Sequence, residues 1–235
     1  MLRFPLFGVP VSVHWTFLFV ALFGMSVYSG IEIAAWTAAV FVAVLLHESG
    51  HAFTARAFGA SPVAITLFAL GGVTTWSAPK ELSPGRRFVV SAAGSAVGIA
   101  AGVVVIVLAR RGLFDGLPDL VFVFLQSFVW AGLVWGILNW IPILPLDGGH
   151  MLQHGLEIFT PKRAAGIARV VSIIAGVIVI GLALYFGEMI LAIFVAMITF
   201  MGMRAGREAK QEPRPPEPPP PTEQPPDQEP PAFPI

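Results

Sequence analysis

The chain has 235 residues, 56% of them hydrophobic and 12% charged, with a mean hydropathy of +0.79. Soluble domains are about a quarter charged, so this composition excludes a water-facing surface for most of the chain and makes lipid the expected solvent. Fourteen basic residues balance fourteen acidic ones, which gives no reason to expect a nucleic-acid partner. Cysteine is absent, so any bound metal must be held by His, Asp or Glu.

Apolar runs of about 20 residues are long enough to cross the hydrocarbon layer as helices. They predict six spans, at 11–28, 32–58, 87–108, 120–141, 165–185 and 188–204. Arg3 ahead of the first run resembles the start of a signal peptide, but no small-x-small cleavage site follows, and an uncleaved span is expected. Six spans put both termini on one side. All Lys and Arg except Arg110 and Arg111 then collect on that side, so both termini are expected to be cytoplasmic in a multi-pass protein of the cell membrane. The expected fold is an all-α membrane bundle of about six helices with one small β-hairpin between the second and third.

That hairpin is read from residues 61–79, SPVAITLFALGGVTTWSAP, which are β-branched and aromatic around Gly71-Gly72. Residues 139–149, NWIPILPLDGG, contain Pro142 and Pro145, which end a helix, and a glycine pair that frees the backbone. Irregular backbone at membrane depth is tolerated only against protein or a wet cavity. The proline-dominated residues 209–235 form no core and are expected to be a disordered cytoplasmic tail following a 1–208 core. The tail reads first as a flexible linker and second as a PxxP docking site for a partner.

The second span contains His47-Glu48-Ser49-Gly50-His51. Four residues apart on a helix, the two imidazoles share a face and can grip one metal ion, while Glu48 reaches a water on that ion without filling a coordination position. An ionised side chain at mid-membrane costs at least ~2.5–3.5 kcal/mol on insertion scales, so three ionisable groups in five residues need a function. A catalytic zinc takes three protein ligands. Asp147, in the broken stretch closing the fourth span, is the best third candidate. His150 and His154 are rivals, read first as interfacial residues, and His14 at the start of the first span is a weaker candidate for lining a cavity.

These motifs give the chain a resemblance to the site-2 proteases, intramembrane zinc metalloproteases, and among them to compact prokaryotic, sporulation-type members without an appended regulatory domain. The resemblance runs from Arg3 to about Arg204. It is carried by GVPVSVHWTF, HESGH, ITLFALGGV, SAAGSAVG and NWIPILPLDGGH, the last of which resembles the family's N-x-x-P-x-x-x-L-D-G signature. It implies one zinc ion per chain on His47, His51 and Asp147, Glu48 as the base, and Asn139 beside the site binding substrate or the oxyanion. It also implies a single-span membrane protein as substrate, such as an anti-sigma or sporulation factor. The chain departs from relatives by Ser95 and Leu144, each where they often carry proline; neither is expected to touch a ligand.

On this reading the chain is a peptidase that hydrolyses bonds in or near transmembrane segments, with an unwound substrate adding as a strand to residues 64–73. A metal or proton transporter is the rival from another class, since ion pathways also use intramembrane His, Asp and Glu. Transporters commonly show inverted repeats, and none is visible here. A catalytically dead relative that only holds membrane helices is a third reading, opposed by the intact Glu48.

Overall fold

The computed structural model describes the backbone of residues 1–69 and 71–211, and side chains of residues 1–69 and 71–204. Residues 212–235, most of the expected tail, lie outside the described residues; helix is continuous to Gln211.

The chain opens as a β-hairpin, β1 (Leu2–Leu6) and β2 (Val9–Val13). Phe7 at φ 48° and Gly8 at φ 81° form its two-residue turn, a left-handed pair of the kind whose twist matches the strands. A 3-10 turn, Trp15–Phe19, and the short α1 (Val20–Gly24) follow. The helix expected at 11–28 is therefore absent as such. The apolar composition is real, but Val9 and Val11 are buried while Pro10 between them is exposed, and that period of two selects a strand.

The 26-residue α2 (Glu32–Ala57) is the central helix of the molecule. Ala39, Ala43, His47, His51 and Ala55 recur every fourth residue along its buried stripe. Small residues there let neighbouring helices approach closely. After α2 come β3 (Val63–Phe68) and β4 (Gly71–Trp76). The four strands form one sheet in the order β1-β2-β3-β4, with β2 and β3 parallel and the outer pairs antiparallel. Its buried Val9, Val11, Ile65 and Leu67 pack with Ala52 and Ala55 of α2 in one core cluster. The molecule is thus mostly helical with a four-stranded sheet, rather than all-α with a lone hairpin.

The sheet order also corrects which strand is open. The first half of the 64–73 segment is β3, paired on both sides; β4 is the edge, with β3 its only partner among the described residues. In an antiparallel ladder, alternate residues turn their backbone groups toward the partner. The Ser77 amide donates to Pro62 O, and residues 62 and 77 continue the Val63–Trp76 register. The alternation therefore turns Gly72, Thr74 and Trp76 outward, toward the open edge.

Next come α3 (Pro84–Arg110), capped by the Ser83 hydroxyl, and α4 (Asp119–Trp130). A π-helical turn, Ala131–Trp135, joins α4 to α5 (Gly136–Leu138), and a loop leads to α6 (Asp147–Phe159). The antiparallel pair α7 (Ala164–Tyr185) and α8 (Met189–Gln211) closes the bundle. Among the described residues, four segments are long and apolar enough to cross a membrane: Glu32–Ala57, Pro84–Arg110, Asp119–Leu138 and Ala164–Tyr185. Trp15–Gly24 and Met189–Arg204 are shorter apolar helices where the first and sixth spans were expected.

Candidate metal centre

Two elements far apart in sequence meet around one point. His47 and His51 project from the buried stripe of α2, and Asp147 is the first residue of α6. His47 Nε2 lies 3.1 Å from His51 Nε2 and 3.3 Å from Asp147 Oδ2, and His51 Nε2 lies 3.3 Å from Asp147 Oδ1. Ligands at the corners of a tetrahedron with bonds of 2.0–2.1 Å stand about 3.3 Å apart. The donor set therefore fits a zinc ion in both spacing and chemistry. It is the only group of three or more His, Asp or Glu among the described residues with metal-compatible spacing.

Two of the three donors, His51 and Asp147, are held from behind. His51 Nδ1 donates to Val90 O of α3 at 2.7 Å, which leaves Nε2 to face the other two. This needs α2 and α3 in near-contact. A Cβ on Gly50 would lie 2.7 Å from Ala93 O, and one on Gly94 would overlap the His51 ring. Asp147 is delivered by a tightly folded loop in which Gly148 N–H donates to Asn139 O at 2.6 Å and Leu146 N–H to Ile143 O at 2.7 Å. A Cβ on Gly148 would strike Trp140 O, and one on Gly149 would lie 2.6 Å from Leu144 N. The glycine pair is there for close approach. The loop is further tied to α7 by Leu144 N–H donating to Ser172 Oγ at 2.7 Å. Its backbone is thereby satisfied by protein, as an irregular segment at this depth requires.

Glu48 is 5% exposed, at the junction of α2 and β4. Its side chain passes over Gly72, where any Cβ would overlap it, and Thr74 Oγ1 donates to its Oε2 at 2.7 Å. Asn139 Nδ2 stands 3.4 Å from His47 Nε2. All five expected site residues therefore lie on or beside the His47–His51 turn of α2.

The rival histidines are not part of this donor group. His14 caps the 3-10 turn, with Nδ1 accepting from Thr16 N–H at 3.3 Å. His150 and His154 stack on α6 with ring centroids 6.2 Å apart, and His154 Nδ1 donates to Glu157 Oε2 at 3.0 Å. Burial, together with neighbouring His154, outweighs the pull of Asp147 and lowers the pKa of His150 below the usual imidazole value, which keeps it neutral.

Two contacts were not foreseen. Thr74 on Glu48 depends on strand register, which local sequence does not display. Ser95 was noted only as a departure with no ligand contact, yet its hydroxyl donates to Asp147 Oδ2 at 2.9 Å. The signal available was a hydroxyl standing one residue beyond a glycine on an otherwise apolar helix.

A largely buried His–His–Asp cluster thus lies beside a glutamate in a bundle with membrane-length helices. The Peptidase family M50 model matches residues 117–183, which include Asn139 and Asp147. A zinc metalloprotease of Methanocaldococcus jannaschii is 29% identical over 227 residues, 90% of this chain and 60% of the relative. The Rip3 protein of Mycobacterium tuberculosis, also named as a zinc metalloprotease, is 28% identical over 223 residues, 86% of this chain and 56% of that one. The chain thus spans less than two thirds of the length of either relative. Among solved structures, a site-2 protease from Methanocaldococcus jannaschii superposes with a TM-score of 0.63 at 27% identity, covering 88% of this chain and 95% of that one. Resemblance to the site-2 proteases is therefore shown by family model, curated relatives and fold alike.

Proposed function

We propose that this chain is a zinc-dependent intramembrane endopeptidase that hydrolyses peptide bonds in or near the transmembrane segments of single-span membrane proteins. One zinc ion per chain sits on His47, His51 and Asp147. The observation that carries the reading is the set of 3.1–3.3 Å spacings among those donors, with Glu48 one residue along the same helix. Both termini face the cytoplasm.

Bound at this site, zinc supplies a Lewis acid that activates water and polarises the scissile carbonyl at neutral pH. Glu48 is the general base. Thr74 engages Oε2, so Oε1 is the oxygen left to take the proton of the attacking water and pass it to the leaving amine. The Asn139 amide donates toward the oxyanion. No covalent intermediate is needed, in keeping with a chain without cysteine.

A transmembrane substrate must be unwound before its backbone can react. The open edge of β4 offers outward backbone groups at Gly72, Thr74 and Trp76, and an extended substrate adds there as a fifth strand, laid beside Glu48. The substrate is a membrane-tethered regulator, of the anti-sigma or sporulation-factor kind.

The test is co-expression with a panel of single-span membrane proteins, comparing wild type with Glu48→Ala. Cleavage that disappears in the variant while bound zinc remains supports the peptidase. Zinc or proton flux that persists in Glu48→Ala, with no substrate cleaved by wild type, replaces it with a transporter.

A further inference from the structure

Helix α3 supports the metal centre at three points. Val90 O receives His51 Nδ1, Gly94 makes room for the His51 ring, and Ser95 reaches Asp147. The third contact departs from the default for hydroxyls on apolar helices. A buried Ser or Thr in an apolar helix by default bonds back to the carbonyl four residues earlier. Thr37 does so to Ile33 O, Ser49 to Leu45 O and Thr199 to Val195 O, at 2.8, 2.6 and 2.8 Å. Ser95, which is 0% exposed, instead spends its proton on Oδ2 of a carboxylate 52 residues away. Asp147 heads a helix that follows an irregular loop, and its carboxylate would rotate about χ2 unless something held it.

We propose that Ser95 is a positioning residue of the metal centre: its hydroxyl fixes the Asp147 carboxylate with its oxygens turned to His47 and His51, so that the site is preorganised before metal enters. This rests on the reading of His47, His51 and Asp147 as the ligands. Second partners of this type contribute roughly ten- to a hundredfold in metal affinity.

The experiment uses the full chain in detergent, stripped of metal and titrated with zinc against a chromophoric chelator. Ser95→Thr and Ser95→Val have nearly the same shape and differ in the hydroxyl. Ser95→Thr should stay within a few-fold of wild type, and Ser95→Val should bind zinc roughly ten- to a hundredfold more weakly. Cobalt loading gives a spectroscopic check, since a released carboxylate alters the visible absorption of the ion. Ser127→Ala removes a hydroxyl that is equally buried but bonded to Tyr28, away from the site, and should leave zinc affinity unchanged. Equal affinities for the Thr and Val variants, or an equal loss in Ser127→Ala, overturn the assignment. A wild-type chain that takes up no zinc overturns the metal reading itself, a result distinct from either.

Discussion

Thr74 Oγ1 lies 2.7 Å from Glu48 Oε2 and 3.1 Å from Glu48 O. The single hydroxyl proton goes to the nearer, charged acceptor, a charge-assisted bond of about twice the usual strength. One residue of the open strand thus holds the proposed base through its side chain while its backbone faces the edge where substrate would pair.

The two roles separate by mutation. Thr74→Val keeps the backbone N–H and loses the hydroxyl, so kcat should fall about tenfold with little change in KM, a modest share of the 10²–10⁴ that a positioned base contributes. Thr74→Pro removes the N–H as well and should also raise KM. Steady-state cleavage of a detergent-solubilised substrate reads both. Identical KM values for the two variants would remove the strand-addition model.

Metal removal should abolish cleavage, and stoichiometric zinc should restore it. Asp147→Ala should fail to recover, because two imidazoles alone leave the ion short of the three protein ligands typical of catalytic zinc. Zinc content by elemental analysis, before and after dialysis against a chelator, checks this independently of activity.

Gly94→Ala sets two effects against each other. In a helix interior alanine is favoured over glycine by about 1 kcal/mol. Here the new Cβ would overlap the His51 ring, with helix backbone behind it. Overpacking of this kind costs about 1–3 kcal/mol, so the clash wins: the variant should be less stable and bind zinc more weakly. Thermal unfolding and zinc competition on one preparation decide it.

Glu157 connects α6 to α3 at the far end of the same face. Burial alone would push its carboxyl up, but hydrogen bonds from Gln153 and His154 and the Arg87 charge outweigh it and lower the pKa. A lowered value means that its contribution is present in full above the ordinary pKa near 4.5 and is lost as pH falls through the folded value. Glu157→Gln should cost about 1 kcal/mol at pH 7, and the gap from wild type should close in strong acid. Melting temperatures across that range read the difference.

Much of the centre was legible in the sequence because lipid makes charge expensive: His47, Glu48 and His51 share one turn of an apolar helix, and Asp147 sits in a loop whose prolines and glycines forbid a plain span. What could not be read depends on long-range partners. Residues 11–28 have the composition of a span, and the pairing of Val11 with Phe4 and Ile65 shows that the run starts as a strand. Likewise, that β3 is an inner strand and β4 the edge follows from the first hairpin docking on β3, which residues 61–79 do not encode. Ser95 stands in the SAAGSAVG stretch, but its contact with Asp147 arises only because α6 packs on α3 there.

The docking of the first hairpin has a consequence for anyone trimming the protein. Deleting residues 1–13 would strip β3 of its parallel neighbour and give the sheet a second raw margin. Such a truncated chain would offer incoming strands a decoy berth on the wrong flank, two strands away from the glutamate. Its failure would look like lost recognition or clumping, although His47, His51 and Asp147 would still be present.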